Sequence, residues 1–381
     1  DWGKMQEMMA ADADRIADVE GAALLRWFLD RNFTQLGHES RDRGGKVTDA
    51  LGICANRGPQ LLADATIDRA FQWFERGGRT PLLVKSNQIA TVHRRVLIDL
   101  VIVPVHGNKG LEALSIHAGM WTSSALSAPP EKVPVLRAQL AGLNDKFGFD
   151  PSGHAGKALV HAMTALPHDL LISFDAASLE RLALTAMSLS DRPRAKIVTV
   201  LESLGRHLFA FVWLPRDDVS TGRRLAIAQM IEEAAHANVI GWTIVLEDGA
   251  PALLRYTLDM RDGGKVPGDD ALDKMLQVMV RGWVPEVEAR LAELGDEGRA
   301  AALAIKYANS FPPAYRATYG AAEAAQDIVR LRDTAAEISG DKPVHKVRFY
   351  RDGDDKGEFF RMKAYAIRQP LALSDVVPAL E

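Results

Sequence analysis

Between Ser178 and Met260 the chain runs helix, two strands, helix, two strands, and few folds can bury the apolar faces that this order creates. The stretch "SLERLALTAMSLS" puts Leu179, Leu182, Ala186 and Met187 on one helical face. "AKIVTVLE" and "HLFAFVWLP" are strand-length runs on either side of "SLGR", with Gly205 at the tip of the expected hairpin. Ser220 is placed to N-cap the helix "TGRRLAIAQMIEEAAHA", after which "GWTIVLED" and "LLRYTLDM" flank "GAP" as a second strand pair. Helices entering at this spacing cover one face of a small, mainly antiparallel sheet, an α+β sandwich related to the ferredoxin-like plan. The alternating Phe209, Phe211 and Trp213 then belong to its core.

At 381 residues the chain exceeds what one core usually serves, and the flanks read as further modules. Residues 1–31 read as one helix, since Met5, Met8, Met9 and Ile16, then Leu24, Leu25, Phe28 and Leu29, recur at helical intervals. It ends near "NFTQLGHES", before the loop "RDRGGK". "PLLVKS", "VLIDLVIV" and "LEALSIHAGMW" read as strands, and "EKVPVLRAQLAGLNDKFG" as a helix with Pro134 in its first turn, which makes an α+β domain up to Asp150. Ser152 is the expected cap of a helix carrying Leu159, Val160, Met163 and Leu166. From Gly268 to Ser339 the period is helical, with Pro285 and Pro312–Pro313 cutting it into pieces. "HKVRFYRDGDDKGEFFRMKAYAI" reads as two strands around a turn, and "ALSDVVPALE" as a helix start capped by Ser374. The chain starts at Asp1 instead of Met and its last unit is incomplete, so the expectation is a piece of something longer.

Composition narrows the function. Lys plus Arg number 46 against 50 Asp plus Glu, so the basic excess of a duplex-binding protein is missing and no nucleic-acid partner is expected. The longest apolar runs, "VLIDLVIVPV" and "LFAFVWL", are strand-sized and far from the roughly 20 residues that span a bilayer, so no membrane partner is expected either. Cys54 stands alone, which excludes an intrachain disulfide and a cysteine-based zinc cluster and fits a cytoplasmic location. No two of the 30 glycines are separated by a single residue, so no G-x-G-x-x-G can be written, and "SGHAGKAL" lacks Walker A spacing. H-E-x-x-H and G-x-S-x-G are absent. His154, His161 and His168 are two turns apart, about 10 Å, too far to share one metal. The expectation is therefore no catalytic, cofactor-binding or metal-ligating set.

The chemically richest stretch is "LLVKSNQIATVHRRVLIDLVIVPV". Lys85, Asn87, His93 and Arg94, with Arg95, could hold a carboxylate or phosphate, because guanidinium forks match those groups. The alternative puts Ser86 and Asn87 in a turn and makes the basic pair salt-bridge residues. A further alternative makes Lys85, His93 and Arg94 a catalytic set, although no matched nucleophile lies nearby. In "PRDDVSTGRR", Arg216 and Arg223 are candidates for contacts with an acidic partner or ligand, set against a solvated helix face.

Several segments, "LLRWFLDRNFTQLGH", "PLLVKSNQIATVHRRVLIDLVIV", "FDPSGHAGKALVHAMTALPHDLL", "WLPRDDVSTGRRLAIAQMI", "YANSFPPAYRATYGAAEAAQDIVRL" and "FFRMKAYAIRQPLALSDVVPALE", resemble in order the large bacterial NAD-specific glutamate dehydrogenases. The resemblance covers nearly the whole chain and falls on the family's long N-terminal regulatory region. It implies a leading helix at 1–22 after a missing ACT-like module, a PAS-like α+β domain at 23–150 and an ACT-like domain with its preceding helices at 151–265. A helical connector at 266–340 and the first half of another ACT-like module at 341–381 complete the implied layout. The parent enzyme would convert L-glutamate, water and NAD to 2-oxoglutarate, ammonium and NADH. Its catalytic lysines and nucleotide-binding glycines would lie beyond Glu381, leaving this part without catalytic residues or cofactor. Implied partners are further copies of the chain, the catalytic domain and an amino-acid effector. The competing reading is a stand-alone amino-acid sensor that acts by binding only.

Overall fold

The computed structural model describes residues 1–55, 61–92, 94–108, 110–246, 250–295, 297–337, 344–350 and 361–369. The chain divides into two compact units, Asp1–Gln277 and Val278–Glu381.

In the first unit, α1 (Trp2–Arg15) and α2 (Val19–Trp27) replace the single expected helix. Apolar spacing runs on across the join, but Asp18 stops the first helix and caps the second by accepting from Gly21 N. The next strand is one that hydrophobic period does not reveal. β1 (Phe33–Asp42) and β2 (Val47–Gly52) pair with β3 (Leu82–Ile89), β4 (Leu97–Gly107) and β5 (Gly110–Trp121) in the antiparallel order β2-β1-β5-β4-β3. Alternate residues of β4 serve different cores. Leu100 and Ile102 join Ile67, Ala70 and Phe71 of α3 (Asp64–Glu75), while Val101 and Val103 join α1 and α2 through Met9, Leu24 and Phe28.

A helical segment follows: α4 (Ser123–Leu126), α5 (Leu136–Phe147), α6 (His154–Ala165), α7 (His168–Leu171) and α8 (Ala176–Asp191). Pro134 lies before α5, not in its first turn. The N-cap of α6 is Gly153 and makes no side-chain bond, because Ser152 instead donates to Asp150 Oδ1 at 2.8 Å. Leu159, Met163, Leu179 and Leu182 pack with Phe209, Phe211 and Trp213 in the same core that reaches Val101.

The second sheet contains β6 (Lys196–Leu201), β7 (His207–Leu214), β8 (Asn238–Val245) and β9 (Ala252–Asp259) in the antiparallel order β6-β7-β9-β8. Gly205 turns the first hairpin at φ 71°, and Ser220 caps α9 (Thr221–Ala235) by accepting from Arg223 N, both as expected. Starting from β7, the arrangement is that of the ferredoxin-like plan, with the helix and strand that close the plan, α8 and β6, coming first in the chain.

The outer edge of β6 is covered by α10 (Asp269–Val280). Asp269 accepts from Thr199 N at 2.9 Å, Asp273 accepts from Ile197 N at 3.2 Å, and Gln277 donates to Ala195 O at 2.5 Å. Four helical residues rise about 6.0 Å and two strand residues about 6.7 Å, so side chains at every fourth helical position match every second backbone group. An edge otherwise open to pairing is thereby closed.

The second unit packs α11 (Trp283–Glu293), α12 (Ala300–Tyr307) and α13 (Pro313–Ala336) through Val287, Leu291, Ala304, Ala324 and Ile328. Pro285 does not cut the helices. It sits in the first turn of α11, where its missing N–H would have no acceptor, and the break falls at Arg281–Gly282. β10 (Val344–Tyr350) and β11 (Arg361–Ile367) form the expected antiparallel pair, while the helix start at Ser374 lies outside the described residues. The whole chain is α+β and multi-module, with antiparallel sheets.

Candidate functional site

Lys85 and Asp99 are direct partners across β3 and β4, and Lys85 Nζ lies 2.5 Å from Asp99 Oδ1. The same ammonium also binds Asp169 of α7, so one lysine ties the five-stranded sheet to the segment that leads into the second sheet. Arg206, in the hairpin turn before β7, adds a bond to Lys85 O at 2.5 Å while pairing with Glu202 at 2.7 Å. Arg79 donates to Ile172 O and Arg69 to Leu204 O, each at 3.0 Å. These bonds fix the two sheets of the first unit against each other.

They also frame a cavity of about 400 Å³, a volume that suits a small organic ligand. Its floor is the Lys85–Asp99–Asp169 trio, whose side chains are only 11–12% exposed. Burial opposes the Lys85 charge, yet Asp169 and Asp99 outweigh it and raise the lysine pKa. Burial pushes Asp99 up to about 6, with Asp169 repelling it and Lys85 only partly compensating. Asp169 is held low, because Lys85 and Arg255 overcome its burial. With both acids ionised, the trio carries one excess negative charge.

The lining also holds three arginines. Arg255 of β9 faces Asp169 electrostatically but makes no hydrogen bond or ion pair among the described residues. Arg94 and Arg95 line the rim, and Arg94 donates to Trp121 O. Trp121, Phe209, Ile240 and Trp242 contribute apolar lining. Arg224 stacks on Trp242 at 4.2 Å, which holds that indole against the cavity. The described lining contains no serine, cysteine or histidine, and its hydroxyls belong to Thr243 and Thr257.

Of the residues singled out from sequence, Lys85 and Arg94 meet here. Asn87 belongs to β3, and His93 lies outside the described residues. Arg216 and Arg223 stand elsewhere, in the turn before α9 and in its first turn, where Arg223 pairs with Asp218. Asp99, Asp169 and Arg255 were not picked out. Only Asp99 leaves a local trace, as the single charge inside "VLIDLVIV".

The matched families place this architecture. Residues 133–192 match the model "Glutamate dehydrogenase, helical motif 1", residues 196–284 match "Glutamate dehydrogenase, ACT2 domain", and residues 290–333 match "Glutamate dehydrogenase, helical motif 2". The NAD-specific glutamate dehydrogenase of Halomonas elongata is 25% identical over 99% of this chain and 24% of its own length. That of Pseudomonas aeruginosa is 26% identical over 97% of this chain and 23% of its own length. A solved structure, the Erythrobacter litoralis EL346 blue-light activated histidine kinase, aligns with 60% of this chain and 96% of its own at 9% identity, with a TM-score of 0.16 that is too low to indicate a shared fold.

Fold and matches together define a multi-module α+β region built around an ACT domain and flanking helical motifs. The chain belongs to the family of large NAD-specific glutamate dehydrogenases, as their N-terminal region. It spans about a quarter of the length of the curated relatives it matches.

Proposed function

We propose that this region is the non-catalytic regulatory and assembly part of an NAD-dependent glutamate dehydrogenase, and that its cavity receives a free amino acid. The parent reaction would be oxidative deamination of L-glutamate to 2-oxoglutarate and ammonium, with NAD bound by the parent's catalytic domain. The observation that carries the reading is that one cavity lining holds both buried acids and arginines. An α-ammonium fits beside Asp99 and Asp169, two acids that share one lysine, and an α-carboxylate fits Arg255 and Arg94. Trp121, Phe209 and Trp242 offer apolar lining for a side chain.

The strand order β2-β1-β5-β4-β3 is the order used by PAS domains, which supports a PAS-like module over 23–150. The ACT-like module at 151–265, the connector at 266–340, and the opening half of a second ACT-like module at 341–381 complete the proposal. Partners are the catalytic domain and further copies of the chain, in the cytoplasm. No described helix is long and apolar enough to cross a membrane.

The test is a ligand-dependent melting screen of the 381-residue chain over amino acids and nucleotides. An amino acid should raise the melting temperature, and Arg255→Ala should abolish the shift. A shift that survives Arg255→Ala, or NADH formed by this chain from glutamate and NAD, overturns the reading.

A further inference from the structure

We propose that Asp12, His38 and His117, with Ser115 beside them, form a site for a divalent transition metal that staples α1 to the five-stranded sheet. The residues come from three elements far apart in sequence. Asp12 lies in α1, His38 in β1 and Ser115 and His117 in β5, where His38 and His117 are direct cross-strand partners. Asp12, His38 and His117 are no more than 1% exposed, and one ligand atom from each lies within 4.8 Å of the others.

The hydrogen-bond count shows what the cluster lacks. His38 Nδ1 lies 3.1 Å from Asp49 O, and a carbonyl only accepts, so Nδ1 carries the proton and Nε2 of the neutral ring presents a lone pair. That lone pair is 2.9 Å from Ser115 Oγ, while Asp12 Oδ2 is 2.5 Å from the same oxygen. Ser115 has one proton and cannot donate to both. His117 Nε2 stands 2.6 Å from Asp12 Oδ2, and its Nδ1 has no partner among the described residues to fix the tautomer. The cluster is therefore short of one proton, a positive centre that none of these contacts provides.

A metal ion supplies that centre. It would take the lone pairs of both Nε2 atoms and Asp12 Oδ2, with His38 oriented from behind by Asp49 O as metal-bound histidines usually are. Two imidazoles and one carboxylate select zinc, cobalt(II) or nickel(II) over calcium or magnesium. Bonds of about 2.1 Å place tetrahedral ligand atoms roughly 3.4 Å apart, within about 1.5 Å of the present separations. Arg15, 48% exposed, sits on the other oxygen of Asp12 and is a neighbouring cation that opposes a metal.

The test loads the 381-residue chain with zinc or cobalt(II), followed by dialysis. The expected result is one metal per chain, visible absorption of tetrahedral type for cobalt, and a melting temperature raised by at least about 3 °C with zinc. His38→Phe with His117→Phe should abolish all three. Arg15→Gln should tighten binding roughly tenfold, since a nearby positive charge is removed. Affinity weaker than about 100 μM in the folded chain overturns the proposal. Metal retained by the double variant overturns it too, by assigning the ion to surface histidines. If the double variant does not fold, an Arg15→Gln chain whose metal affinity is unchanged has the same force.

Discussion

Each unit contains one lysine between two acids at nearly equal burial, and the two arrangements have different consequences. Lys85 meets Asp99 and Asp169 at 11–12% exposure, and Lys363 meets Glu323 and Asp327, both at 2.8 Å, at 7–19% exposure. Around Lys363 the remaining valences are filled. Tyr315 and Tyr365 donate to Asp327 at 2.5 and 2.7 Å, Arg348 pairs with Glu323 at 2.6 Å, and the ring of Tyr319 stands 4.4 Å from the ammonium. Around Lys85 two acids share one lysine and border a cavity whose lining also holds Arg255. A buried ion pair whose lone pairs are all answered serves packing, whereas one left in excess toward a cavity is a recognition group.

The contrast is most exposed to test at the lysines. Lys85→Met leaves two adjacent buried carboxylates and should cost about 3–5 kcal/mol, while Lys363→Met, whose acids keep tyrosine and arginine partners, should cost about 1–3 kcal/mol. Urea denaturation of both variants would break the comparison if the order were reversed. Next in size are the acids. Asp327→Asn should cost about 1–3 kcal/mol, because the hydroxyls of buried Tyr365 and half-buried Tyr315 lose a charged acceptor, whereas Asp99→Asn should change stability by less than about 1 kcal/mol yet weaken amino-acid binding about tenfold or more.

The pH dependence sharpens the same point. Because the folded-state pKa of Asp99 is raised to about 6, the folded chain binds that proton more tightly than the unfolded chain. Stability from this group therefore rises as pH falls through about 6 toward the unfolded value near 4, and Asp99→Asn should remove that slope. Ligand affinity should move the opposite way, weakening below about pH 6 as the ammonium loses its counter-charge, which calorimetric titration at two pH values would read. Lys363 and its tyrosines are shifted upward and should add no slope there. The smallest stability change is expected for Arg255→Lys, within about 0.5 kcal/mol, since Arg255 holds no bond among the described residues.

The helical and strand-rich parts of the ACT region were legible, because apolar period, Ser220 and Gly205 speak locally. β1 was not. Gln35, His38, Glu39 and Arg41 are all buried in it, and a reading based on hydrophobic period treats such a segment as loop. Their burial is answered by partners out of sequence reach, such as Ser115, 77 positions from His38. The candidate site divides in the same way. Lys85 and Arg94 stood out as charges beside apolar strands, but Asp169 lies 84 positions from Lys85, and nothing near it announces a contact.

In the ACT segment sequence alone determined where helices and strands form, in what order, and that Gly205 and Ser220 bound them, because those outcomes rest on periods and bonds within a few residues. Tertiary structure alone decided which lysine faces a cavity, which strand may bury charge and which edge is closed by α10. Each of these depends on one group's proximity to another through space, and the energy of a buried charge is set by partners that chain order does not reveal.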